Sequence, residues 1–124
     1  MNDDLAIILV DHGSKRAGAN EILHEVAALI SARSQGRLVY AAHMELADPS
    51  IEHAFGQAVS DGASRIIVHP YMLTPGKHAA HDIPLLAQKA ARLHPGIFFC
   101  VTEPLGVHLK IAEVILERCG LSHS

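Results

Sequence analysis

Four short apolar runs punctuate this chain, and helix-period segments fill the spaces between them. The first run, Leu5-Ala6-Ile7-Ile8-Leu9-Val10, is continuous rather than alternating. A short, unbroken, β-branched run reads as a strand buried on both faces, over residues 5–11. Residues 20–34 read as an amphipathic helix, with Ile22, Leu23, Val26, Leu29 and Ile30 at helical spacing and Glu21, Glu25 and Arg33 off that face. Residues 37–43, 65–69 and 97–102 give three more strands. Asp48-Pro49-Ser50 predicts a helix start, with Asp48 as cap and Pro49 in the first helical position. Ile51, Phe55, Ala58 and Val59 form its inner face, and Asp61-Gly62 ends it. Residues 70–82, with Pro70, Pro75 and Gly76, read as a long loop, after which Asp82 caps a helix bearing Leu85, Leu86, Ala90 and Leu93. His94-Pro95-Gly96 stops it. Val107 to Cys119 predicts a fourth helix, with Ile111, Val114 and Ile115 inward and Gly120 as its stop. The order is βαβαβαβα, which predicts an α/β fold with a four-stranded parallel sheet flanked by helices. The tail, residues 121–124, is expected to fray.

Composition narrows the class. A chain of 124 residues fits one domain over residues 1–124 and can bury a sizeable core without disulfides. Aromatic residues are only 4% and Trp is absent, so the core is built from Leu, Ile, Val and Ala. The net charge of −3 argues against nonspecific nucleic-acid binding. No apolar run is long enough to span a bilayer. Cys100 lies in the run Ile97–Val101 and reads as a buried, inert thiol. With Cys119 as the only other cysteine and no basic leader before Asp3-Asp4, a reducing cytoplasm is the expected location.

Ten histidines are the compositional oddity. In a parallel α/β sheet ligands bind outside the strand C-termini. His12, in Asp11-His12-Gly13-Ser14, follows the first strand directly; His43 and Glu45 close the second; His78 follows the third. Imidazoles at one edge can hold a divalent metal or move protons near neutral pH. His78 and His81 are three apart and could share a helix face. His24, His53, His69, His94, His108 and His123 read as ordinary helix, strand-end or tail residues. Lys15, Arg16 and Lys77 are placed to pair with a polyanionic ligand, and Gly13 and Gly76 let backbone approach it closely. These residues alone leave three readings open: metal chemistry with turnover, a non-catalytic metal or tetrapyrrole carrier, and phosphoryl transfer through a phosphohistidine. The last wants several arginines, and Arg16 is the only one near His12.

The motifs as a set resemble one family. Ile8-Leu9-Val10-Asp11-His12-Gly13-Ser14-Lys15-Arg16, Ala42-His43-Met44-Glu45-Leu46-Ala47-Asp48-Pro49-Ser50-Ile51, the segment Pro70 to His78 with Asp82-Ile83-Pro84, and Glu103-Pro104-Leu105-Gly106 are similar to blocks of the short CbiX/SirB-type sirohydrochlorin chelatases. The resemblance runs from about residue 5 to 118. It implies a class II chelatase fold and insertion of Fe2+, Co2+ or Ni2+ into sirohydrochlorin, a tetrapyrrole with eight carboxylates. The second block looks closer to the ferrochelatase members, so iron is favoured and cobalt next. The resemblance implies metal binding by His12 and His78, with Glu45 in support. Gly13, Ser14, Lys15, Arg16, Gly76 and Lys77 are then the candidate substrate-binding set. No organic cofactor is implied, because the metal is a substrate. Many relatives hold two such halves in one chain, and the short ones form homodimers, so a homodimer is expected here.

Overall fold

The computed structural model describes residues 4–121. Its elements run β1 (Leu5–Asp11), α1 (Ala17–Arg33), β2 (Leu38–His43), α2 (Ile51–Ser60), β3 (Arg65–Pro70), α3 (Lys77–Arg92), β4 (Phe98–Val101) and α4 (Leu109–Arg118). All four strands are parallel, in the order β2-β1-β3-β4. The alternation read from the apolar runs is therefore the observed architecture.

Right-handed crossovers dictate where the helices go. The step from β1 to β2 runs toward one edge, and the steps from β2 to β3 and from β3 to β4 run toward the other. Hence α1 covers one sheet face, while α2 and α3 cover the opposite one. Two apolar clusters record this division. Ala6, Ile8 and Val10 of β1 join Ile66 and Val68 of β3 under Phe55 and Ala58 of α2 and Ile83 and Ala87 of α3. On the other face Leu9 and Ala41 pack beneath Leu23 and Ala27 of α1. Phe55 and Phe99 meet edge to face at 6.1 Å, a favoured aromatic geometry.

Several expected boundaries move, each for a local reason. Helix α1 begins at Ala17, three residues before the predicted 20. Its entry is locked by Asn20, whose Oδ1 accepts from the Ser14 amide and whose Nδ2 donates to the Ser14 carbonyl. Its apolar face is narrower than the periodicity suggested, since Ile22 and Leu29 are exposed. Helix α2 is capped by Ser50, not Asp48: the Ser50 hydroxyl accepts from the His53 amide, and Pro49 lies outside the helix. The reason is that the Pro49 carbonyl is already engaged by the His43 amide at the end of β2. Helix α3 starts at Lys77, with Gly76 as its cap. The loop after β3 is thus residues 71–76, and Asp82 lies within the helix rather than capping it. Pro84 also sits inside α3, where it forgoes one backbone hydrogen bond. Cys100 is exposed, because β4 is an edge strand whose outward face has no helix over it. Helix α4 has no buried residue, and Val114 and Ile115 are exposed, contrary to the inward placement predicted for them. Of the tail, the Leu121 amide donates to the Leu116 carbonyl, and residues 122–124, His123 among them, lie outside the described residues.

Candidate functional site

The sheet order reverses between β1 and β3: from β1 the chain moves to one edge, from β3 to the other. Such a switch point opens a crevice beyond the strand C-termini. His12 follows β1 and His78 opens the helix after β3, so the two histidines flank this crevice.

The backbone around His12 is tightly fixed. The Met44 amide donates to the Asp11 carbonyl at 2.8 Å, and the Glu45 amide to the His12 carbonyl at 3.1 Å. The β1–β2 pairing thus continues past the strands and lays His12 beside Glu45. Gly13 has φ +91°, and a Cβ there would lie 1.8 Å from the Glu45 carbonyl oxygen. Only glycine permits this approach. Both His12 and Glu45 keep exposed side chains.

Beneath them lies a pair that the sequence reading did not join, a buried His43 and a half-buried Asp11. Asp11 and His43 are register partners on adjacent strands, so their side chains share one sheet face. His43 Nδ1 lies 2.6 Å from Asp11 Oδ1. The carboxylate can only accept, so Nδ1 carries the hydrogen. His43 is 1% exposed, and its Nε2 has no hydrogen-bond partner among the described residues. Its ring lies under α1, 5.8 Å from that of His24. The signal for this pair existed in the sequence only as two polar residues ending apolar strands. The sequence offers His43 as a second-strand metal contact, but its ring is packed beneath α1 instead of at the open edge.

His78 sits in the first turn of α3, exposed, with Nε2 3.0 Å from Asp82 Oδ2 one turn on. Lys77 precedes it and is exposed, as are Lys15 and Arg16 across the crevice. Ser14 holds the turn, its Oγ accepting from the Arg16 amide at 3.0 Å. Gly76 has ordinary backbone angles and open space around its Cα, so it leaves the α3 N-terminus uncovered rather than making a strained turn. The loop is tied down by the Tyr71 amide donating to the Val10 carbonyl and by the Leu105 and Gly106 amides donating to Met72 and Leu73. His69 closes β3 with its Nδ1 2.8 Å from Thr102 Oγ1. Partial burial lowers its pKa from the usual histidine range, which favours the neutral ring.

The structure therefore brings His12 and Glu45 together and sets His78 on the same edge. Among the described residues, no group of three or more His, Cys, Asp or Glu side chains is gathered closely enough to hold a metal ion. The donors line an open edge instead of a closed cage.

The sequence profile of the CbiX family matches residues 6–120. The chain belongs to the CbiX family. Among the curated relatives of this CbiX chain is the chloroplastic sirohydrochlorin ferrochelatase of Arabidopsis thaliana, 42% identical over 99% of this chain and 56% of that protein. The sirohydrochlorin cobaltochelatase of Methanococcus maripaludis is 26% identical over 93% of this chain and 97% of its own length. Of solved structures, SirB from Bacillus subtilis with Fe3+ superposes with TM-score 0.83 at 28% identity, covering 94% of this chain and 46% of that one. A CbiX protein from Marinobacter aquaeolei VT8 superposes with TM-score 0.77 at 29% identity, covering 95% and 99%. The chain thus spans about half the length of the plant ferrochelatase, and nearly all of the archaeal cobaltochelatase.

Proposed function

We propose that this protein, as one domain over residues 1–124, inserts a divalent metal into sirohydrochlorin, with Fe2+ the favoured ion and Co2+ next. The observation that supports the reading is that His12 and Glu45, side by side through backbone hydrogen bonds, share the strand C-terminal edge with His78, in a chain 42% identical to a sirohydrochlorin ferrochelatase. The higher identity to that relative than to the cobaltochelatases supports iron. No organic cofactor is needed, since the metal is itself a substrate.

The chemistry follows from the donors. Metal entry expels two pyrrole N–H protons. Neutral imidazoles of His12 and His78 can deliver the ion and accept protons, and Glu45 can steady the ion or relay a proton. An open edge suits this role: a metal that must leave for the macrocycle gains nothing from a closed, tight cage. The exposed Lys15, Arg16 and Lys77 orient the macrocycle's carboxylates, and Gly13, Ser14 and Gly76 offer backbone close to its plane. Two copies form a homodimer that covers the open crevice. Both cysteines are free thiols, and no helix among the described residues is long and apolar enough to cross a membrane. A reducing cytoplasm suits both.

The test is anaerobic incubation of sirohydrochlorin with Fe2+, Co2+ or Ni2+ and a hundredth as much protein, followed by absorbance. Complete spectral conversion at that ratio is expected, fastest with iron. A spectral change that stops at one equivalent of protein would make the chain a carrier instead.

A further inference from the structure

One buried polar atom takes no part in the proposed metal insertion. His43 is 1% exposed, and its Nε2 has no hydrogen-bond partner among the described residues. Keeping such an atom dry and unpaired is unfavourable, and native proteins rarely do so without a use. The ring itself gives the direction of Nε2. Nδ1 is engaged by Asp11, 2.6 Å away, and carries the hydrogen, so Nε2 holds a free lone pair. Nε2 sits at the end of the ring far from the backbone, and the side chain rises from the sheet toward α1. There it meets His24, whose ring centre lies 5.8 Å from that of His43 at an interplanar angle of 57°.

This arrangement has the marks of a metal ligand. A ligating histidine gives one ring nitrogen to the ion and donates its other N–H to a carboxylate, which fixes the tautomer and raises the basicity of the ligand. Asp11 and His43 stand in that relation, with Nε2 as the donor toward an ion. The spacing to His24 fits as well. At metal–nitrogen distances of about 2.0–2.1 Å, two imidazoles on one ion have ring centres roughly 5–6 Å apart. His24 is half-buried and also borders a cavity of about 350 Å³ beside β2, with Ser31, Tyr40 and Gln57. That cavity offers an ion a route from solvent and room for water on its remaining coordination positions.

We propose that His24 and His43 form a second cation site, with Asp11 as the carboxylate behind it, for a divalent first-row ion such as Zn2+, Co2+ or Ni2+. Two imidazoles completed by water make an exchangeable site rather than a closed cage. It is distinct from the crevice: His12 and His78 are exposed at the strand C-terminal edge, whereas His24 and His43 meet on the sheet face under α1. An ion held there ties α1 to the end of β2. The site stands whether or not the crevice inserts metal into a macrocycle.

Zinc is the probe. In a chain carrying His12→Ala and His78→Ala, Zn2+ is titrated and the imidazole nitrogens are followed by long-range 1H–15N correlation spectra. One equivalent of Zn2+ should move the ring signals of His24 and His43 together, His43 Nε2 passing from a free to a metal-bound nitrogen. Signals of both rings left in place, or a shift of His24 alone, would overturn the site. Calorimetry then compares that chain with one also carrying His24→Phe, a ring that keeps the place beside His43 filled, its fold read by far-ultraviolet circular dichroism. Zn2+ should bind at least about tenfold more weakly without His24, the loss that even an outer-shell partner causes. Unchanged affinity would overturn the pairing, and the spectra decide alone should the Phe variant misfold.

Discussion

Under the proposed reaction, side chains at the crevice divide into those that would meet the ligand and those that hold the backbone for them. His12 and His78 are assigned to the first group because both are exposed and flank the switch point. His12→Ala and His78→Ala should each lower metal insertion by roughly 100-fold or more, the lower range for a lost proton-transfer group, with unchanged melting temperature because neither ring is packed. Near-normal turnover in either variant would remove that residue from the reaction. Asp11 is in the second group. Asp11→Ala strips the buried His43 ring of the one hydrogen-bond partner it has among the described residues, and should cost about 1–3 kcal/mol of unfolding free energy. Chemical denaturation measures it; a cost near zero would mean that the His43 ring turns to another partner. The sequence made the first group legible, because a polar residue directly after an apolar strand marks a sheet's C-terminal edge. It hid the second: Asp11 and His43 are 32 residues apart, and only strand register makes them neighbours.

At the scale of elements, the strands were readable and the helix starts were not. Four short, continuous, β-branched apolar runs separated by helix-period segments fit the strands of a parallel sheet. Helix starts depend on which polar group reaches a free amide, and at Asp48-Pro49-Ser50 two residues compete. The engagement of the Pro49 carbonyl by the His43 amide settles the contest for Ser50, a long-range fact that local preference does not contain. Ser50→Ala should therefore destabilise the protein by about 1 kcal/mol, while Asp48→Ala should be close to neutral. Equal losses in thermal melts of the two variants would contradict this assignment. The start of α3 failed for a different reason. Pro84 and Asp82 look like a helix beginning, yet Ala79, Ile83, Ala87 and Ala90 bury one continuous stripe against the sheet, and that burial carries the helix through the proline. The apolar periodicity of α4 was read correctly as helix and wrongly as inward, since period alone does not say whose surface an apolar face will cover.

The whole molecule carries a net charge of −3, and its strand C-terminal edge holds both signs. Lys15, Arg16 and Lys77 are its exposed cations in the segments after β1 and β3, beside the carboxylates of Glu45 and Asp82. A macrocycle with many carboxylates should feel this local field, and exposed charges act through it over about 10 Å at 0.1 M salt. Replacing the three by Gln should raise the apparent KM for sirohydrochlorin several-fold and flatten its dependence on salt, with the metal dependence unchanged. Steady-state assays between low and moderate ionic strength read both; an effect confined to metal dependence would assign the three residues elsewhere.

Stability against pH is also a property of the whole molecule, and His69 contributes to its acid side. Thr102 Oγ1 donates to the Glu103 carbonyl, so it accepts from His69 Nδ1–H, and the ring is held neutral between β3 and β4. Desolvation lowers its folded pKa below the unfolded value of about 6.5. Between those two values the unfolded chain binds more protons than the folded one, so stability rises with pH. The contribution is fully present above about pH 6.5 and is lost as pH falls through the lowered folded pKa. His69→Asn keeps a donor toward Thr102 and removes the titration. The unaltered protein should thus lose melting temperature between pH 7.5 and 5.5, and His69→Asn should lose less over the same interval. Parallel slopes for the two proteins would place the acid sensitivity on another group.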